Sequence, residues 1–223
     1  MSNNIELDVS RCLCVHSSFQ AIDIAIQSIL YKRGFVPTLI SQISTCADSR
    51  KEQAFAIQYN KMRDSLRELF RTRNRHHLRS VALLLGGCCV LPKEIYIFPI
   101  HDCHSADSEG DVECSSNCVE LSKKEMRQLC LSLTIDLDLS HLPNLLPSAS
   151  AYVLVEADTS VDYPSEFFTP YEQFELPSDE KANKHRISMS FISFKHHCMS
   201  ECTSNSGQSI WLRVDPQLHR LIA

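Results

Sequence analysis

Eleven cysteines and ten histidines are the residues of this 223-residue chain best equipped for chemistry, and several gather in two places. His101, Cys103 and His104 stand ahead of Cys114 and Cys118, and His196, His197 and Cys198 stand ahead of Cys202. A zinc ion needs four convergent nitrogen or sulfur ligands, and a C-x₃-C spacing supplies two. Neither cluster carries paired C-x₂-C spacing, and both lie among Ser, Asp or Asn residues. Loop cysteines and solvated histidines are therefore the reading, and no metal or other cofactor is expected. The cysteine count is odd and no secretory signal is expected. Most are then thiols in a reducing compartment, several of them buried as small hydrophobes.

Catalytic patterns are missing. Cys88 or Cys89 would need an activating histidine to act as a nucleophile, and no partner is identifiable. The five glycines, Gly34, Gly86, Gly87, Gly110 and Gly207, cannot build a phosphate loop or a dinucleotide fingerprint. Neither G-x-S-x-G nor H-E-x-x-H occurs. Arg67, Arg71, Arg73, Arg75 and Arg79, with His76 and His77, form a basic run. Nucleic acid would call for interleaved aromatics. A cationic helix end explains the run instead, and a net charge of −5 also argues against a nucleic-acid partner. The residues before Cys12 are polar and no window approaches eighteen apolar residues, so a non-secreted chain with no membrane partner is expected.

These residues must be positioned by a chain organised around Ser80–Pro99, SVALLLGGCCVLPKEIYIFP. Val81–Leu85 is too short for a globular helix and runs into Gly86-Gly87, which predicts a buried strand. Ile95, Tyr96, Ile97 and Phe98 predict a second strand, and the pair a central hairpin. Upstream, residues 1–10 read as a disordered or edge segment, and Cys12–Val15 as a short strand. Ser17 or Ser18 is an expected N-cap and Gly34 a stop for a helix whose apolar face is Phe19, Ile22, Ile26, Ile29 and Leu30. A second helix is expected from about Asp48 to Arg73, with Phe55, Tyr59, Met62, Leu66, Leu69 and Phe70 recurring at three and four.

Ser122-Lys-Lys-Glu125 is a capping box, and the helix it opens is taken to about Leu142, ahead of Pro143. Met126, Leu129, Cys130, Leu133 and Leu137 gather on one face; Leu131, Ile135, Leu139 and Leu142 gather on the other. One stripe covers a sheet. The other is either sandwiched by helices of the same chain or is a protein-binding surface. Strands are expected at Ser150–Val155, Ile187–Phe194 and Ser209–Val214, with a Pro-rich extended stretch at Tyr163–Pro177. The order predicts an α+β domain with helices on one side of a mostly antiparallel sheet.

Leu83-Leu84-Leu85-Gly86-Gly87, Pro92-Lys93-Glu94 and Tyr96 resemble the central hairpin of the Comet family of HORMA-like adaptors. Further similar positions are Tyr31-x-Arg33 with Pro37, Phe168-x-Pro170, Leu176-Pro177-Ser178 and Ile210-Trp211, in order along most of the chain. The resemblance implies a short tail at 1–10 and a single HORMA-like domain at 11–223, with three main helices and a C-terminal safety belt and strands at 163–223. It implies a non-enzymatic adaptor that binds the closed conformer of the mitotic-arrest-deficient spindle-checkpoint protein. The adaptor would present that protein to a hexameric AAA+ remodelling ATPase and so silence the checkpoint, in the nucleus and cytoplasm and at kinetochores or the spindle.

Carried onto this chain, the third helix supplies the partner contact. Leu131 and Ile135 centre it, with Lys32 and Cys130 nearby. Cys130, or Leu131 after a one-residue slip, replaces a family aromatic, and Lys32 replaces a glutamine. Pro170-Tyr171 replaces the Pro-Lys pair of ATPase engagement. A second possibility is a HORMA-like scaffold that captures a partner peptide under the 163–177 belt.

Overall fold

Central β2 (Leu78–Gly86) is apolar almost without interruption because both its faces are covered. Val81, Leu83 and Leu85 face one core, while Ala82 and Leu84 face another. The computed structural model describes residues 2–9, 13–40, 43, 49–71, 77–100, 120–195 and 208–221. Both Cys/His clusters, together with Arg73, Arg75 and His76, lie outside the described residues.

Around β2 the described chain builds a seven-stranded sheet in the order β1-β6-β3-β2-β4-β7-β5. The other strands are β1 (Ser2–Asp8), β3 (Glu94–Pro99), β4 (Ser150–Asp158), β5 (Phe168–Pro170), β6 (Ser188–Lys195) and β7 (Ser209–His219). Four of the six pairings are antiparallel; β6 runs parallel to both β1 and β3. In the central register Leu83 stands between Tyr96 and Val153. Residues 2–8 are thus an edge strand. The last strand outruns its expected end at Val214.

Helices α1 (Val15–Lys32), α2 (Arg50–Arg71) and α3 (Lys123–Asp136) cover one face. Every apolar residue expected on the faces of α1 and α2 is buried. The start of α1 differs from expectation: Val15 opens the helix, so no strand runs to that residue. Ser17 and Ser18 lie inside its first turn, where the Ser17 hydroxyl donates back to the Cys14 carbonyl. Its end follows the glycine rule. Gly34 takes φ +66°, and the Arg33 and Phe35 amides donate to Ile29 and Leu30. Between α1 and α2 the buried Asp23 carboxylate accepts from Tyr59 (2.6 Å), Arg63 (2.8 Å) and Gln27 (3.0 Å).

The opposite face is not bare, which corrects the expectation of helices on one side only. A short helix unforeseen in the sequence, α4 (Asp179–His185), is capped by the Ser178 hydroxyl, and Arg186 closes it in the left-handed conformation. Its Ala182 joins Phe174, Ile187, Met189 and Trp211 over Ala82, Leu84, Ile95 and Ile97. Among the described residues, three long helices on one face and one short helix on the other make this an α+β domain.

Candidate docking surfaces

The capping box of α3 forms as the sequence predicts. The Ser122 hydroxyl accepts from the Glu125 amide at 3.3 Å, and the Glu125 carboxylate accepts from the Ser122 amide at 2.7 Å. The preceding Leu121 amide donates to Gln20 of α1, fastening the helix start. The C-terminus comes early: α3 stops at Asp136, not Leu142, with Leu137 as its cap. There the Lys32 ammonium donates to the carbonyl oxygens of Thr134 (2.8 Å) and Leu137 (2.5 Å). Cations at a helix C-terminus satisfy carbonyls left without an intrahelical donor and oppose the dipole. Loss of water holds the Lys32 ammonium below its usual pKa, while Asp138 and Asp136 pull it back up.

The two faces predicted for this helix meet different fates. Leu129, Leu133 and Leu137 are buried in the core. On the other side Leu131 is 56% exposed and Ile135 77% exposed, so no other helix of the described chain sandwiches them. Leu139 and Leu142 do not extend that stripe, because the chain has left the helix and turned Leu139 into the core.

Lys32, Cys130, Leu131 and Ile135 do not form one patch. Leu131 and Ile135 line a groove of about 410 Å³ whose other wall is Asp8 and Val9 at the end of β1. Cys130 and Lys32 line a cleft of about 270 Å³ on the other flank, between α1 and α3, with Tyr31, Thr38 and Thr134. Leu131 and Ile135 thus face outward, while Lys32 is engaged within the chain.

Tyr171 lies on the face of the sheet opposite α3, whereas Pro170 pairs with Leu212, whose side chain belongs to the α3-side core. Pro170 is exposed, and Tyr171 is half-buried. The Tyr171 amide donates to the Trp211 carbonyl at 2.7 Å, and its ring stacks on Phe174, which meets Trp211 edge-on. The Cys89 thiol donates to the Tyr171 hydroxyl at 3.4 Å. Burial, then the Cys89 hydrogen bond and the two neighbouring thiols, push the Tyr171 phenol up to about 12.

A buried ion pair went unforeseen. Arg33, at the end of α1, grips the Glu94 carboxylate through Nε (2.9 Å) and Nη2 (2.5 Å), and Tyr96 donates to the same carboxylate at 2.7 Å. A charged residue heading an apolar strand was the signal, since a carboxylate is rarely buried unpaired.

Elsewhere the basic run is partly neutralised. Arg79 pairs with Asp158, and Arg67 lies over the Phe19 ring beside Asp64. Among the described residues no group of three or more His, Cys, Asp or Glu is placed to hold a metal, and no helix is long and apolar enough to cross a membrane. A scan of protein-family models returns no match to this chain, and a search of curated proteins returns none.

Proposed function

We propose that this chain is a HORMA-like adaptor of the Comet type. It docks the outward face of α3 on the closed conformer of the mitotic-arrest-deficient checkpoint protein and presents it to a hexameric AAA+ ATPase. One observation carries the reading. Leu131 and Ile135 lie one turn apart, exposed, on a helix whose opposite face is buried and whose two ends are tied to α1. A rigid helix offering an apolar pair suits helix-on-helix docking, because little order remains to be imposed on binding.

In this reading Pro170 and Tyr171 are the ATPase-contact candidates. Tyr171 lies on the opposite face of the sheet from α3, so one surface can hold the client while another meets the remodeller. The belt is the segment from Tyr163 to Pro177, which lies alongside β7 through the antiparallel β5 pairing. The chain performs no chemistry itself.

The peptide-capture alternative requires β7 to leave its place. Against it, Leu212, Val214 and Leu218 of β7 are buried in the main core, and lifting the strand would uncover them. Deleting 207–223 separates the two readings: capture requires a folded protein with stronger peptide binding.

The direct test is size-exclusion chromatography with the checkpoint protein locked closed in one run and open in another. Co-elution with the closed form alone is expected. Binding to neither form would remove the adaptor reading.

A further inference from the structure

Residues 137–149, between α3 and β4, have no regular structure, and three cations from distant parts of the chain hold their carbonyl groups. Lys32 takes Leu137, and Arg33 Nη2 donates to the Pro143 carbonyl at 2.6 Å. The third is Arg220, the residue after β7, whose Nη1 donates to the Leu145 carbonyl at 2.8 Å. Its Nε donates at 2.7 Å to the Gly34 carbonyl, at the turn that ends α1. Gly34 permits this approach, since a Cβ there would meet Arg220 Nη2 at 3.0 Å. The next amide, Leu221, donates to the Phe35 carbonyl at 2.9 Å.

One planar guanidinium therefore joins three segments: the end of β7, the end of α1 and the stretch that follows α3. A guanidinium suits this task because its donors point in fixed, divergent directions and it stays charged at every working pH. Irregular backbone must find donors for its carbonyls, and here they come from the chain rather than from secondary structure. We infer that Arg220 is a positioning residue, coupling the seating of β7 to the order of the 137–146 segment and, through it, to the C-terminal turn of α3. By linkage the coupling runs both ways, so whatever fixes α3 also tightens the end of β7. Its importance for docking rests on the adaptor reading; the coupling itself does not.

Native-state amide hydrogen exchange on the full chain tests it. In Arg220→Ala the amides of 133–146 should exchange about tenfold faster, while those of Val81–Leu85 keep their protection. Arg220→Lys, with one cationic donor group in place of the fork, should recover part of the loss. Leu218→Ala separates coupling from general weakening, because it thins the packing of β7 and leaves the guanidinium in place. Unchanged exchange at 133–146 in Arg220→Ala overturns the inference. So does acceleration spread evenly over the chain, or a Leu218→Ala effect on 133–146 that persists in full when Arg220 is also alanine. Should Arg220→Ala not fold, the same comparison is read from Arg220→Lys against wild type. Loosened exchange with undiminished binding of the closed checkpoint protein would count against the docking surface and leave the coupling intact.

Discussion

The Lys32 ammonium stands 2.8 Å from the Thr134 carbonyl oxygen, so the last residue of α1 caps the last turn of α3. Replacing Lys32 with Met should lower stability by about 1 kcal/mol in urea unfolding, the scale of a cation at a helix C-terminus. Lys32→Arg should retain most of it. A binding defect in Lys32→Met without any stability loss would mean that Lys32 serves the partner instead of the helix.

Arg33 and Glu94 behave differently because both are buried. Removing the arginine alone leaves a desolvated carboxylate, so Arg33→Met should cost about 3–5 kcal/mol. The double variant Arg33→Met, Glu94→Gln should regain a large part of that. If the double variant is as damaged as the single, the cost lies in lost packing or in the Pro143 contact, not in the orphaned charge.

Leu131 and Leu133 lie two residues apart on α3 with opposite exposure. Leu133→Ala should cost about 2–5 kcal/mol, as deletion from a packed core does. Leu131→Glu and Ile135→Glu should change stability by about 0.5 kcal/mol or less. In the adaptor reading those two abolish binding of the closed checkpoint protein. Binding that survives both charges would locate the docking face elsewhere.

Adjacent glycines in the hairpin should also diverge. A Cβ on Gly86 would fall 2.9 Å from the Lys93 amide nitrogen and 3.0 Å from the Pro92 Cα, both backbone atoms that cannot step aside cheaply. At Gly87 nothing lies within 4 Å. Gly86→Ala should therefore cost about 1–3 kcal/mol by crowding, and Gly87→Ala almost nothing. Equal melting temperatures for the two variants would contradict the tight approach at Gly86.

Tyr171 links the 163–177 segment to the hairpin turn, and its phenol is raised from 10.0 to about 12. Between those values the folded protein holds a proton that the unfolded chain has released. Stability from this group is thus whole below pH 10 and is lost as pH rises through 12. Wild type should lose stability faster than Tyr171→Phe across that window. Ultraviolet difference titration of the two proteins should show the missing phenolate near pH 12. A midpoint near 10 would mean that the phenol is not sheltered.

Periodicity made the helices and the hairpin legible, because apolar residues at three and four, or in a run ended by Gly-Gly, leave few alternatives. The capping box gave the start of α3 to the residue. Its end was not readable: Lys32, about a hundred positions away, supplies the donors beside an early stop, and no local pattern announces that. For the same reason the continuous stripe expected from Leu131 to Leu142 shrinks to Leu131 and Ile135. Ser178 followed by Asp179 and Glu180 was an adequate signal for α4, but its seven residues are too few to show a period. Lys32 and Cys130 were placed beside Leu131 by the family resemblance, and the fold puts both on the other flank of α3.

The parallel edge has a consequence for the order in which the protein can be built. Ser2 is matched with Met189 and Asp8 with Lys195, so β1 leaves the ribosome well before its partner strand β6 has been synthesised. Strands β2 and β3 pair with each other across a short turn, whereas β1 must wait for β6. A pairing of such long sequence separation costs chain entropy before any hydrogen bond is gained. Nascent chains released before residue 195 would carry an N-terminal segment without the strand it is made to join.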